Sequence, residues 1–195
     1  LFTSILPLTP RYCRLSRIVR DIPAGEIVSG NKISNFREIA EKEILKKGKK
    51  LQDIRSREIK EEDITLNNLE EEITTYRTSV SKEYFISYKT KDSDKICSFL
   101  RLSIPKKEPF IDELKNSSVI REVHVYGNVV NIGEEGNGNP QHLGLGRKMI
   151  KIAEEISRKN GFRKISVISA VGTREYYRKL QFIDGVLYMS KETSS

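Results

Sequence analysis

"NPQHLGLGRKMIKIAEEISRK", residues 139–159, is the stretch on which the rest of the reading turns. Met149, Ile150, Ile152, Ala153 and Ile156 recur at helical spacing and predict an amphipathic helix that Gly161 ends. Gly144 and Gly146 open it, after the loop "GEEGNGNPQ". A helix start presents amides with no intrahelical acceptor, and the helix dipole favours negative charge there. Glycines at such a place let backbone approach a ligand closely, and Arg147 adds a positive charge.

Spacing separates the phosphate-binding patterns. A Walker loop, G-x-x-x-x-G-K-[ST], is absent. A dinucleotide fingerprint, G-x-G-x-x-G, meets Met149 where its third glycine belongs. "QHLGLGR", residues 141–147, fits Q/R-x-x-G-x-G/A without a gap, and such a helix mouth suits the pyrophosphate of coenzyme A. Its flanks agree. Strand-like runs occupy residues 70–80, 83–90, 95–104 and 118–127, with "KTKDSDK" as a hairpin loop. After the helix come a buried-type strand in "RKISVISAV", a short helix in "GTREYYRKL" and a last strand in "GVLYMSK".

The 195 residues suit one domain plus an appendage. No apolar run reaches the length of a membrane-spanning helix. "LFTSILPLTP" lacks a basic start and a small-residue cleavage pattern, which argues against a signal peptide, and the start at Leu1 reads as a cut through a longer protein. Cys13 and Cys97 are too few and too distant for a disulfide framework or a metal cluster, as fits a reducing compartment. The "NSS" at Asn116 reads as a chance sequon.

Charge is uneven. Residues 1–60 carry 14 Lys and Arg against 7 Asp and Glu, while the remainder carries 21 against 20. The excess predicts a polyanion contact in a basic N-terminal segment, with a boundary near residue 60. Within it, "RYCRLSRIVRDIP" reads as extended or turn-rich, and Arg14, Arg17 and Arg20 are candidates for phosphate contacts or for packing against another domain. "ISNFREIAEKEILKKG" reads as a helix with Ser34 as N-cap, Gly48 as stop, and Phe36, Ile39, Ala40, Ile44 and Leu45 on its apolar face.

The glycine pattern, the strand ending in "HVYG" and the "YYRKLQF" helix together resemble the GNAT acyltransferases. The resemblance implies an α/β fold: a mixed, mostly antiparallel sheet in which two parallel strands splay to admit acetyl-CoA. It implies that Glu122, Val123, His124 and Val125 run along the pantetheine. Gln141, Gly144, Leu145, Gly146 and Arg147 would then hold the pyrophosphate, with Tyr177 protonating or hydrogen-bonding the departing sulfur. "RLSRIVRDIP", "NFREIA", "DIRSREI", "REVHVYG", "QHLGLG", "ISVISAVGTREYYRKL" and "YMSK", in that order, narrow the resemblance. They are similar to the tRNA wobble-uridine carboxymethylating enzymes, the catalytic subunits of Elongator.

That family implies residues 1–60 as the end of a radical S-adenosylmethionine region and 61–195 as the acetyltransferase-like domain. Its implied partners are tRNA and other Elongator subunits, with no membrane, in the cytoplasm or a eukaryotic nucleus. A 4Fe–4S cluster and S-adenosylmethionine would belong to a domain for which this sequence has no three-cysteine motif. Many relatives carry zinc-binding cysteines around "DIRSREI"; Leu51, Gln52, Asp53 and Ser56 offer no thiolate, so no metal is expected. Gln181 stands where the wider family usually has glycine.

Glu122 and His124, two apart on a strand, share a face, and either one orients attacking water or makes a structural hydrogen bond. His142 caps the helix or contacts the cofactor. Of Tyr176 and Tyr177, on different sides of a helix, one is expected in the core. Two other functions fit less of the sequence. A protein lysine acetyltransferase sits poorly with a basic segment, and a non-catalytic RNA-binding or assembly fragment would explain Gln181.

Overall fold

The computed structural model describes residues 2–16, 24–30, 32–33, 36–60, 64–126 and 144–193. The chain divides into two compact units, Leu1–Glu58 and Ile59–Ser195. Among the described residues no helix is long and apolar enough to cross a membrane.

The first unit holds α1 (Phe2–Ile5), α2 (Phe36–Lys46) and α3 (Ile54–Arg57). Its core is Leu6, Ala40 and Ile44, with Phe2, Leu15 and Leu51 packed against them. The apolar stripe of α2 is narrower than its sequence predicts: Ile39 is 43% and Leu45 59% exposed. Gly48 ends the helix in a left-handed turn, φ 68°, with Lys49 N–H donating to Ile44 O at 3.2 Å. Ser34 lies outside the described residues. Asp53, fully buried, accepts from Arg37 at 3.1 Å, and Ser56 bonds the same carboxylate. Arg37 also donates to Leu15 O and Glu41, each at 2.5 Å. The "DIRSREI" segment is thus pinned by a satisfied buried ion pair, whose disruption would strand a charge.

The second unit is a seven-stranded sheet in the order β1-β2-β3-β4-β5-β7-β6. The strands are β1 (Leu69–Arg77), β2 (Ser81–Thr90), β3 (Ile96–Pro105), β4 (Ser117–Val125), β5 (Lys164–Val167), β6 (Ile183–Asp184) and β7 (Met189–Glu192). Every pairing is antiparallel except β4 with β5. A helix, α4 (Leu145–Lys159), lies between the parallel strands in the chain, and α5 (Arg174–Lys179) follows β5. This is the mixed, mostly antiparallel α/β sheet that the GNAT resemblance implies.

One face of the sheet buries α4. Leu145, Met149 and Ala153 are fully buried and Ile150 is 1% exposed; Met149, Ile150 and Ala153 join a core that includes Ile86, Leu100, Leu102, Ile120 and Ile165. Burial of each large side chain, Leu145, Met149 and Ile150, contributes about 1.5–3 kcal/mol. Ser157, on the same buried face, donates to Ala153 O and bonds Ser118 Oγ, both at 2.6 Å, which satisfies a polar group in the core. Gly161, at φ 84°, supplies the left-handed stop.

The sheet parts where the site is expected. β5 pairs with β4 only from Ser117↔Lys164 to Ile120↔Val167, and ends there rather than running through "ISAV". Ile168 is already 60% exposed. On the other side of β4, Leu102 pairs with Ile120 but Arg101 with Glu122, so Arg121 is an extra, bulged residue. A bulge bends its strand and increases local twist. Here it follows directly on the last parallel pair. β4 therefore continues to Val125 held by β3 alone, with an open edge on the β5 side among the described residues.

Candidate functional site

Two features meet at the open edge of β4: its free backbone and the mouth of α4. Tyr126 N–H donates to Cys97 O at 2.9 Å, toward β3. Backbone groups alternate along an antiparallel pair. Those of His124 and Glu122 therefore also face β3, and those of Val123 and Val125 face the opening. The same alternation sets the side chains. Val123 and Val125 pack toward the α4 core, and Glu122 and His124 lie on the other face, together, as their spacing predicts.

The two glycines differ in their reasons. Gly144 is the N-cap of α4 at φ 65°, ψ 24°, a left-handed conformation, and a Cβ there would meet nothing within 4 Å among the described residues. It is required for its backbone, not to clear space. Gly146 has ordinary helical geometry but no room: a Cβ would stand 2.7 Å from Tyr176 Oη and 3.7 Å from Val125 Cγ2. The mouth of α4 is thus closed against α5 and the end of β4. Among the described residues it has no side-chain cap and no acidic residue in its first turn to offset its first amides and dipole. Arg147, exposed at that turn, lies close enough to Tyr176 to oppose the rise that burial causes in its phenol pKa. Tyr176 is the residue that sequence spacing did not select, since nothing in "YYRKLQF" says which tyrosine meets the glycine.

Tyr177 is the core member of the pair. It is 7% exposed, edge-on to Phe182 at 5.5 Å and to Tyr176 at 5.3 Å. Burial, and secondarily Tyr176, push its phenol up to about 12. At neutral pH it is a committed proton holder. Gln181, after α5, has φ 70°, and Phe182 N–H reaches back to Tyr177 O at 3.1 Å. The usual glycine at this position answers a left-handed turn, which Gln181 adopts at a cost of about 1–2 kcal/mol. Its effect lies in the backbone.

On the opposite face, Glu122 accepts from Arg101 Nε at 2.9 Å. The Arg101 guanidinium lies over Phe85 and Phe99, at 5.2 and 5.6 Å, and reaches Tyr76 Oη at 3.4 Å. His124 stacks on Phe99 at 5.7 Å and meets Tyr126 at 4.5 Å. Glu122 and His124 are thus brought together, while Tyr177 belongs to the core on the α4 side of the sheet. The open edge of β4 is the place that both faces share.

Gln141, His142, Arg17 and Arg20 lie outside the described residues. Arg14 pairs with Glu58 at 3.3 Å in the first unit. Among the described residues no three or more His, Cys, Asp or Glu side chains gather as a metal site.

No protein-family model matches the chain. It is 36% identical over 198 residues to "Elongator complex protein 3" of Dictyostelium discoideum, which covers 98% of this chain and 35% of that protein. It is 37% identical over 199 residues to "tRNA uridine(34) acetyltransferase" of Methanocaldococcus infernus, covering 95% of this chain and 36% of the relative. The solved structure of "the archaeal Methanocaldococcus infernus Elp3 with N-terminus deletion (1-46)" superposes with a TM-score of 0.85 at 36% identity, over 97% of this chain and 46% of that one. The chain spans about a third of the length of these relatives.

Proposed function

We propose, from the premise that this chain belongs to the Elongator complex protein 3 family over the part of those proteins that it spans, that it is the acetyl-CoA-binding and thioester-hydrolysing part of an enzyme that carboxymethylates uridine 34 of tRNA. Residues 61–195 are the acyltransferase domain. Residues 1–60 lead to it from a radical S-adenosylmethionine region, whose 4Fe–4S cluster would supply radical chemistry in the full-length protein. The partners are tRNA and other Elongator subunits, and the setting is the cytoplasm.

The observation that carries the reading is the parting of β4 from β5 at Ile120 and Val167, next to a helix that opens on two glycines. The residues fit an extended, amide-bearing thioester with a diphosphate. Val123 and Val125 offer free backbone groups to the pantetheine, with Glu122 and His124 flanking it. Gly144, Leu145, Gly146 and Arg147, with Gln141 before them, offer amides and charge to the pyrophosphate.

In the reaction, water adds to the acetyl carbonyl as the carbon–sulfur bond breaks. Glu122 or His124 takes the proton from water, and Tyr177 hydrogen-bonds or protonates the departing thiolate. With its pKa near 12, Tyr177 holds its proton until the sulfur develops charge.

The test is calorimetric titration of the 195-residue chain with acetyl-CoA, followed by a thiol assay for released CoA with and without tRNA. Binding, with release stimulated by tRNA, is expected. No binding would end the reading. Release stimulated by a lysine peptide and not by tRNA would make the chain a protein acetyltransferase.

A further inference from the structure

Ile120 and Val123 both pack toward α4, although they are three residues apart. A regular strand returns to a face every second residue, so one residue between them is extra. Arg121 and Glu122 accordingly stand side by side on the face away from α4, and each meets an opposite charge there. Arg121 Nη1 donates to Glu83 Oε2 at 3.3 Å, and Glu122 Oε2 accepts from Arg101 Nε at 2.9 Å.

Glu83 is the buried member of this set. Its side chain is 2% exposed, against 54% for Arg121. On β2 it alternates with Tyr84 of the α4-side core. Ser81 Oγ and Ser103 Oγ donate to its Oε1 at 2.5 and 2.8 Å. A carboxylate buried this far is tolerated when a cation and hydrogen bonds satisfy it. Neither the apolar core nor the thioester chemistry uses it.

Its effect is on register. The apolar pattern asks for one extra residue in β4 but does not choose between Arg121 and Glu122. With Glu122 extra, Arg121 would oppose Arg101, and like charges directly opposite are destabilising. In the register observed, Glu122 opposes Arg101. Glu83 draws Arg121 aside and leaves that place to Glu122.

We propose that Glu83, acting through Arg121, is a positioning residue for Glu122. The buried carboxylate fixes Arg121 as the extra residue of β4, which holds the Glu122 carboxylate beside Arg101 at the open edge. The proposal rests on the reading of Glu122 as the group that takes the proton from water.

The experiment is a thiol assay of CoA release by the 195-residue chain with tRNA, over a range of acetyl-CoA concentrations. Glu83→Gln/Arg121→Gln removes both charges and strands neither. Its maximal release rate should fall about tenfold, because a misplaced base loses part of its effect. The half-saturating acetyl-CoA concentration should stay within about twofold. Arg121→Lys, which keeps the charge, should retain most of the rate. In a Glu122→Gln background the double change should not slow the residual release further, since both act through one carboxylate. An unchanged rate in Glu83→Gln/Arg121→Gln, or a full further fall in the Glu122→Gln background, would overturn the proposal and leave the acetyl-CoA reading standing. Normal release by Glu122→Gln alone would overturn the role of Glu122 and the proposal with it. No acetyl-CoA binding by the unaltered chain would overturn both readings.

Discussion

The phenolic oxygen of Tyr176 stands 2.7 Å from the point that a Cβ on Gly146 would occupy. The next atoms, Tyr176 Cζ and Val125 Cγ2, are an ordinary 3.7 Å away. Gly146→Ala should therefore carry a cost for displacing the Tyr176 hydroxyl, set against the roughly 1 kcal/mol that alanine gains over glycine in a helix. In a Tyr176→Phe background most of that cost should vanish. A double-mutant cycle by urea unfolding measures the coupling. Additive effects would mean that the hydroxyl does not set the glycine. Gly146→Val, larger still, should also weaken acetyl-CoA binding, as read by calorimetry on a folded variant.

Tyr177 makes an alkaline prediction. Its phenol is raised to about 12 in the fold, against about 10 in an unfolded chain. The fold thus favours the protonated form. This contribution is complete below pH about 10 and is lost as pH rises toward 12, and it amounts to about 2–3 kcal/mol. Tyr177→Phe should remove that part of the decline in unfolding free energy between those pH values. The same variant should slow CoA release more than it weakens acetyl-CoA binding, because the hydroxyl matters most once the sulfur carries charge. Equal release rates with tRNA present would remove Tyr177 as the proton donor.

Gln181→Gly should stabilise the chain. A non-glycine residue in the left-handed region costs about 1–2 kcal/mol, of which the greater unfolded-state freedom of glycine takes back part. A gain of about 0.5–1 kcal/mol is expected, seen as a higher urea midpoint at unchanged slope. A lower midpoint would show that the Gln181 side chain contributes contacts that outweigh its backbone.

Arg14, Arg17 and Arg20 are proposed to meet tRNA phosphates. Replacing all three with alanine should flatten the slope of log affinity against log salt by roughly 2 to 3 units, alike for several RNAs. Arg14 must exchange its bond to Glu58 for a phosphate. Parallel slopes in a filter-binding titration would mean that these arginines face protein.

What could be read in advance followed short-range rules. The α4 face from Met149 to Ala153 and the hairpin of β2 and β3 follow from periodicity and turn composition, which depend only on near neighbours. The two-residue β6, the early end of β5 at Val167 and the bulge at Arg121 depend on register between distant segments. No local pattern encodes that. The glycines show the same division. "GLG" marked a ligand-facing helix start, but that Gly144 serves conformation and Gly146 serves clearance needed the position of Tyr176.

The bulge at Arg121 leaves a kinetic mark. Among the described residues no strand pairs with the amides of Val123 and Val125 on their open side, within a strand whose neighbouring amides face β3. In hydrogen exchange these two should be fast islands in a slow strand. A molecule that lies along the slot and supplies carbonyl acceptors would act as the missing strand, so these two amides should slow when acetyl-CoA is added. The ligand would thereby complete the sheet, and the melting temperature should climb with its concentration.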